Sequence, residues 1–397
     1  MIEKRDPSPS ALNFKGTRAT AFCLLICALS LAWIASRDFA SMKTPDVLVP
    51  AAGFKRHLLS EWFPPLAATP MDTPVYIQKG NEPGGSVLVL GGTHPNEPAG
   101  YMTAVLMLER AWVRKGRLYV IPFANIAGFG HTQPQEASPE AILFTLPDGS
   151  SRKFRYGSRD MTHTLMWPIP DIYIHKASAQ RLSGGESRNL NRAYPGDPNG
   201  SPTERLAWAI MEFLRGEKID LAFDLHEASP EYPVVDAIVA HERSMELAAA
   251  TSMELKGQGI EVRLEPSPKN LRGLSHREWG DGSGVMPILM ETANPSQGRL
   301  RGRTDEALAL TGRDKSYLKA AGLGRLFVPY EEGGKPLEAR VARHLTAIMT
   351  FLSMMEFFVD ENKAIEIDGL PTYQRLVESG IGKWLNPEEP VRDVLSR

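Results

Sequence analysis

From about residue 75 onward, short apolar runs alternate with stretches of helical spacing, and this alternation limits the fold more than any other feature. Ser86-Val-Leu-Val-Leu-Gly-Gly92 has the unbroken apolar pattern of a strand covered on both faces, and it ends in glycines. Residues 98–112 follow with helical spacing, Ala104, Leu106, Leu108 and Ala111 among their apolar positions, and residues 118–123 read as a second strand. Residues 203–214 predict a helix, with Pro202 just before it and Gly216 after it. Residues 221–225, 234–239, 261–264 and 287–290 are further strand-like runs. Interleaved helices and strands predict an α/β fold, a mixed and mostly parallel sheet flanked by helices. Residues 126–190 are rich in Gly, Pro and Ser and predict long loops over one edge of that sheet. Ligands of α/β folds bind beyond the carboxyl ends of the strands, so such loops are candidate pocket walls. Residues 338–359 are helical and apolar, but Arg340, Arg343, His344 and Glu356 favour a packed amphipathic helix over a membrane span.

Hydrophobic residues make up 42% of the 397 and charged residues 23%, enough for a sizeable core. The formal net charge of −2 gives no global attraction to nucleic acid, which is set aside as a partner. The two cysteines, Cys23 and Cys27, share one apolar run, so the rest of the chain has neither a disulfide nor a thiolate metal ligand. Any metal site there must use His and carboxylate donors.

That apolar run, residues 19–36, has no charged residue and as a helix extends about 27 Å, close to one hydrocarbon thickness. Lys4, Arg5, Lys15 and Arg18 precede it, which predicts a cytoplasmic N-terminus and an extracytoplasmic remainder. An uncleaved signal anchor is the preferred reading over a cleaved signal peptide, because the preceding region is long and no clean small-x-small site is visible. If cleaved, the protein is secreted. The expected layout is a basic arm at 1–18, the anchor at 19–36, a Pro-rich tether at 37–72, a catalytic domain at 73–360 and a C-terminal extension at 361–397.

Four segments at strand exits or Gly/Pro-rich connections carry chemistry: Gly92-Thr-His94-Pro-Asn-Glu97, Arg188-Asn-Leu-Asn191-Arg192, Asp224-Leu-His226 and Ile288-Leu-Met-Glu291-Thr292. His94 and Glu97, three apart after a glycine pair, can converge on one point. His226 ends a strand, with Asp224 two residues earlier on the same face to orient it. Two imidazoles and a carboxylate suit zinc in a catalytic site, which commonly keeps three protein ligands. Glu227 is a rival ligand, but alternation turns it away from His226. A carboxylate at the end of an apolar strand, Glu291, is costly unless it has a partner or a proton-transfer task. Arginine and asparagine at 188, 191 and 192 can grip a carboxylate or an oxyanion. Taken singly, each segment also has a structural reading: a helix N-terminus, a satisfied core histidine, a salt-bridged strand end and a solvated arginine pair.

Together, in this order and approximate spacing, the segments resemble the succinylglutamate desuccinylase/aspartoacylase branch of the zinc carboxypeptidase superfamily. That branch shows Gly-x-His-x-x-Glu, then Asp-Leu-Asn-Arg with a following Phe-Pro-Gly, then Asp-x-His and a late Glu. The resemblance spans about residues 75–345. It implies a zinc-carboxypeptidase-like fold with one zinc ion on His94, Glu97 and His226, Glu291 as general base, and Asn191 and Arg192 on a substrate carboxylate. A nearby arginine would stabilise the oxyanion, and Arg188 is the candidate. Asn189 stands where the family has Asp, and Tyr194 where it has Phe. The anchor is foreign to the cytosolic members, so their substrates are not carried over. The expectation is a membrane-anchored, extracytoplasmic zinc hydrolase cleaving an amide bond of an N-acyl amino acid or small peptide that bears a carboxylate. The alternatives are a carboxypeptidase on longer or cell-wall peptides and a non-catalytic zinc- or ligand-binding module. Arg299, Arg301 and Arg303, and the polar run Gly273-Leu-Ser-His-Arg-Glu-Trp279, are further candidates for shaping the pocket.

Overall fold

The apolar N-terminal run forms one helix, α1 (Phe14–Ser41), in a computed structural model that describes residues 14–131 and 138–388. Its stretch Thr17–Ser41 is long and apolar enough to cross a membrane, and its leucines, Phe22 and Trp33 are exposed. The helix is longer at both ends than the expected 19–36 span. Lys4 and Arg5 of the basic arm, the Lys15 side chain and residues 389–397 of the C-terminal extension lie outside the described residues. The chain divides into a unit ending at Pro45, which contains α1, and a second unit from Asp46 onward.

The second unit opens with β1 (Lys55–Leu58), β2 (Pro74–Lys79), β3 (Glu82–Leu90), α2 (Pro98–Arg110) and β4 (Trp112–Ile121). The hairpin β5 (Ala141–Thr145) and β6 (Ser151–Arg155), the short α3 (His163–Met166), and the hairpin β7 (Ile172–Ile174) and β8 (Arg181–Ser183) follow. Next come α4 (Pro202–Glu217), β9 (Leu221–Ala228), β10 (Ala237–Ala240), α5 (Met245–Gly257), β11 (Arg263–Pro266), α6 (Ser275–Ser283) and β12 (Met286–Ala293). The chain finishes with α7 (Glu306–Thr311), α8 (Lys315–Gly322), α9 (Leu337–Phe358), β13 (Glu366–Asp368) and α10 (Tyr373–Ser379).

The main sheet has the order β1-β2-β4-β3-β9-β12-β10-β11, with β13 on the free end of β4. Its centre, β4-β3-β9-β12, is parallel. Antiparallel pairs lie outside that centre, at β1-β2, β2-β4, β13-β4 and β10-β12, while β11 runs parallel to β10. The sheet is thus mixed and mostly parallel at its core, as the alternating pattern predicts. Central parallel strands are covered on both faces, which is why residues 87–90 of β3 and 221–223 of β9 read as unbroken apolar runs. Val87 and Val89 of β3 face a core shared with α2, α5 and α9, whereas Leu88 and Leu90 face one shared with α4.

α9 packs against α2 and α5 with Val341, Leu345, Ile348 and Phe351 buried, so the charged residues along it do mark a core helix. α4 starts in a capping box, Ser201 with Glu204, and Pro202 occupies its first turn. Three expectations need correction. Residues 46–72 of the expected tether belong to the sheet-bearing unit: β1 pairs with β2, and Leu59, Phe63, Leu66 and Met71 are buried. An edge strand reading Lys-Arg-His-Leu has no apolar alternation to betray it. The 126–190 stretch contains two hairpins rather than loops alone. Within the 361–397 extension, β13 joins the sheet and α10 packs on α9.

Candidate active site

Three parallel strand exits meet at one point. β3 ends at Leu90, and Gly92 then adopts φ +70°, a left-handed turn that glycine takes without strain. The turn sets His94 and Glu97 just ahead of α2, where Pro98 begins the helix. A Cβ on Gly100 of α2 would lie 2.4 Å from the Leu225 carbonyl oxygen, so this glycine lets the first turn of α2 sit directly on β9. That contact brings Glu97 to His226. On β12, Glu291 stands in register beside His226, and Leu289 beside Asp224.

His94, Glu97 and His226 are buried, with donor atoms within 4.8 Å of one another. Glu97 Oε1 lies 2.8 Å from His94 Nδ1, Glu97 Oε2 lies 2.9 Å from His226 Nδ1, and the two Nδ1 atoms are 3.1 Å apart. Each imidazole is held from behind. His94 Nε2 is 2.9 Å from Asn189 Oδ1. His226 Nε2 is 2.9 Å from Asp224 Oδ2, at an angle that makes it an ion contact rather than a hydrogen bond. Asp224 is itself fixed by Thr93 Oγ1, at 2.7 Å, and by the Ser275 hydroxyl at the start of α6.

Charge in the cluster is settled by these contacts. Burial works against a charged His226, but Asp224 and Glu97 outweigh it and hold its pKa well above the usual value. Burial, joined by the Arg159 charge, pushes His94 down to about 4. Burial also opposes charge on Glu97, yet both histidines keep its carboxyl well below the ordinary range. The cluster therefore favours positive charge at its centre, and its two nitrogens and one oxygen suit zinc. Glu291, half-buried at the cavity edge, has a buried Oε2 with no hydrogen-bond partner among the described residues. Burial raises its carboxyl to about 8, against the pull of His226 and with help from Glu97.

A cavity of about 780 Å³ opens over this cluster, bordered by His94, Glu97, His226, Glu291, Asn191 and Arg192. Asn191 Oδ1 accepts from the Ser275 backbone N–H at 2.8 Å, so what Asn191 offers a ligand is its Nδ2 donor. Arg192 donates to its neighbour's carbonyl, Asn191 O, at 2.6 Å. Arg188 departs from expectation. Its guanidinium is buried against the Met161 carbonyl, His163 and Asp160, at 3.0, 3.3 and 3.2 Å, and it does not border the cavity. The guanidinium paired with the ligand cluster is that of Arg159, which borders the cavity and whose Nη1 lies 3.1 Å from Glu97 Oε1. Nothing in the local sequence distinguishes it, because it sits in the aperiodic Gly157-Ser-Arg-Asp160 run whose path is set by distant contacts. Burial and the Arg159 charge hold the Arg192 pKa below its ordinary value. Two guanidiniums that oppose each other at a cavity wall are relieved by an anion.

The remaining candidates divide. Leu274 and His276 of the polar run border the cavity, and Arg272 and Glu278 form a two-pronged ion pair at 2.7 Å that fixes the start of α6. Arg299 borders the cavity, while Arg301 is turned to the Gly298 carbonyl and Thr304. Glu227, the rival ligand, pairs with Arg340 and accepts from the Ala99 N–H at 3.0 Å.

No family model and no curated protein matches this sequence. Solved structures similar to the chain include a succinylglutamate desuccinylase/aspartoacylase from Rhodobacter sphaeroides, at 16% identity and TM-score 0.39, covering 72% of this chain and 59% of that one. The cell shape determinant Csd4 from Helicobacter pylori is 13% identical at TM-score 0.43, covering 76% and 58%. The ectoine utilization protein EutE (DoeB) from Ruegeria pomeroyi is 21% identical at TM-score 0.36, covering 65% and 63%. The chain thus spans less than two thirds of each of these structures. At such identities the chemistry rests on the residues of this chain.

Proposed function

We propose that this protein is a zinc-dependent hydrolase that cleaves an amide bond next to a carboxylate, in an N-acyl amino acid or small peptide. The observation that carries the reading is Glu291. A carboxylate with a buried, unpartnered oxygen stands in register with His226, beside three convergent donors and at the mouth of a cavity with two cationic walls. His94, Glu97 and His226 would hold the zinc ion, which supplies Lewis acidity toward a carbonyl oxygen and toward water. The protein's own groups do the rest. Arg192 and the Asn191 amide fix the substrate carboxylate, and Arg159 meets negative charge that develops near the ligands. Glu291 takes a proton from the attacking water at Oε2 and returns it to the leaving amine. Burial raises its carboxyl and the charge of a bound zinc ion would lower it, so the group is placed to accept a proton and then return it. Asp224 and Asn189 keep the two imidazoles oriented.

α1 supports a membrane anchor, and Lys4, Arg5, Lys15 and Arg18 ahead of its apolar stretch support an extracytoplasmic catalytic unit. Release of the protein from membranes by detergent but not by salt, and digestion of the catalytic unit by externally added protease, are the expected outcomes.

The chemistry is tested by measuring zinc content and hydrolysis together in Glu291→Gln. The variant should keep one zinc per chain and lose about 100-fold or more in kcat on N-acyl amino acids. Full hydrolysis by that variant would remove Glu291 from its role, and unchanged zinc in His94→Ala would show the metal site to be misassigned. Release of single C-terminal residues from varied peptides would point instead to a carboxypeptidase, and zinc binding without any hydrolysis to a binding module.

A further inference from the structure

The cavity continues away from the ligand cluster along the sheet, and its floor changes character strand by strand. Leu289 of β12 lies in register with Val239 of β10, and Val239 with Glu265 of β11. These three belong to one row on one face, and Glu291 projects from the same face two residues beyond Leu289. All three border the cavity, and Pro266, Leu271 and Leu274 line it as well. Moving outward from Glu291, a ligand therefore meets two apolar side chains and then a carboxylate. Strands lie about 4.8 Å apart and two residues of strand rise about 6.7 Å, so Glu291 to Glu265 is roughly 12 Å, a span that a lysine-length limb together with the reach of both carboxylate side chains covers.

Among the described residues, Glu265 pairs with Arg263, whose Nη2 is at 3.4 Å; Arg263 is about half exposed and also donates to the Pro233 carbonyl. The Glu265 carboxylate keeps acceptor sites for a second cation beside that contact. Arg159 lies at the opposite end of the same series of strands, against Glu97 after β3. The cavity is thus cationic where the carboxylate clamp stands, apolar in between and anionic at the β11 edge.

We propose that the substrate carries an unbranched aliphatic limb ending in a primary ammonium group, lying over Leu289 and Val239 with its nitrogen at Glu265. This deepens the hydrolase reading and rests on it for the position of the cleaved bond. The limb belongs either to the amino acid side chain or to the acyl group, and matched substrates separate the two. N-acetyl-lysine, N-acetyl-norleucine and N-acetyl-2-aminoadipate vary the end of the side chain. 6-Aminohexanoyl-glycine, hexanoyl-glycine and adipoyl-glycine vary the end of the acyl limb. In one of the two series, kcat/KM for the ammonium limb should exceed that for the methyl-ended limb by about tenfold, the worth of a charge-assisted hydrogen bond. Glu265→Gln should bring that ratio close to one, and Glu265→Lys should move the preference to the carboxylate-ended limb. Equal or better use of the methyl-ended limb in both series, or a preference that survives Glu265→Gln, overturns the proposal. If no compound in either series is hydrolysed, the hydrolase reading fails and calorimetric binding of the same compounds to zinc-loaded protein decides the limb. Tighter binding of the ammonium-ended compound that is lost in Glu265→Gln upholds the proposal, and its absence overturns it.

Discussion

Replacing Asn189 by aspartate should tighten the metal site. Asn189 Nδ2 donates to Glu186 Oε2 at 2.8 Å, which identifies the other amide atom, Oδ1, as the acceptor facing His94 Nε2 at 2.9 Å and the Asn191 N–H at 3.0 Å. A metal-binding His94 would therefore keep its proton on Nε2 and leave the Nδ1 lone pair for the ion. An amide oxygen holds that tautomer but adds no charge. A carboxylate in its place makes the hydrogen bond charge-assisted and the imidazole more basic, and partners of this kind are worth about 10–100-fold in metal affinity. The substitution also removes the donor to Glu186 and sets two carboxylates face to face. Glu186 is 35% exposed and has Arg192 Nε at 3.8 Å, so part of that repulsion is screened by solvent and by the arginine. The net expectation is the lower end of the range, about tenfold in Kd, or about 1.4 kcal/mol. Chelator competition at fixed pH measures it, with Asn189→Ala as the control expected to weaken zinc. A folded Asn189→Asp variant whose Kd is unchanged or weaker would refute the tautomer assignment and the role of the amide oxygen.

Arg159→Ala should lower kcat by about tenfold or more and leave KM nearly unchanged. Arg188→Ala should instead lower Tm and leave kcat alone, and the reverse pattern in steady-state kinetics and melting would restore the role first assigned to Arg188. His344, buried behind the site with Nε2 3.1 Å from the His226 carbonyl, is pushed down to about 3 by burial. Below its unfolded value of 6.5 the unfolded chain takes up a proton there and the folded chain does not, so this part of the stability is present at neutral pH and is lost as pH falls toward 3. The contribution lost between pH 7 and pH 5 is about 2 kcal/mol. His344→Gln keeps a donor for the His226 carbonyl, so urea unfolding should show the wild type losing about that much more than the variant over the same interval. Parallel losses would mean that His344 is already charged in the fold.

Much of the candidate site was legible before the fold was known. Gly91-Gly92 ahead of His94, the apolar approach to His226 and the carboxylate closing an apolar run at Glu291 are all local signals. Each marks where a buried strand comes into the open. The edge strand β1 and the β13–α10 segment carried no such signal, because charged edge strands are stabilised by the neighbours they pair with.

The sequence by itself determined which donor types were available and at which strand exits they stood. It did so because strand burial and strand termination follow from a few consecutive residues, and because no thiol competes outside the N-terminal run. Only the tertiary structure decided which arginine faces the cavity. Arg188 lies in the recognisable segment yet is spent on Asp160 and the Met161 carbonyl, whereas Arg159 reaches Glu97 from an aperiodic loop. The same holds for the row Leu289, Val239 and Glu265, which are distant in sequence and become neighbours through strand register alone. Register is set by the packing of whole strands against two cores, and no short stretch of residues encodes it.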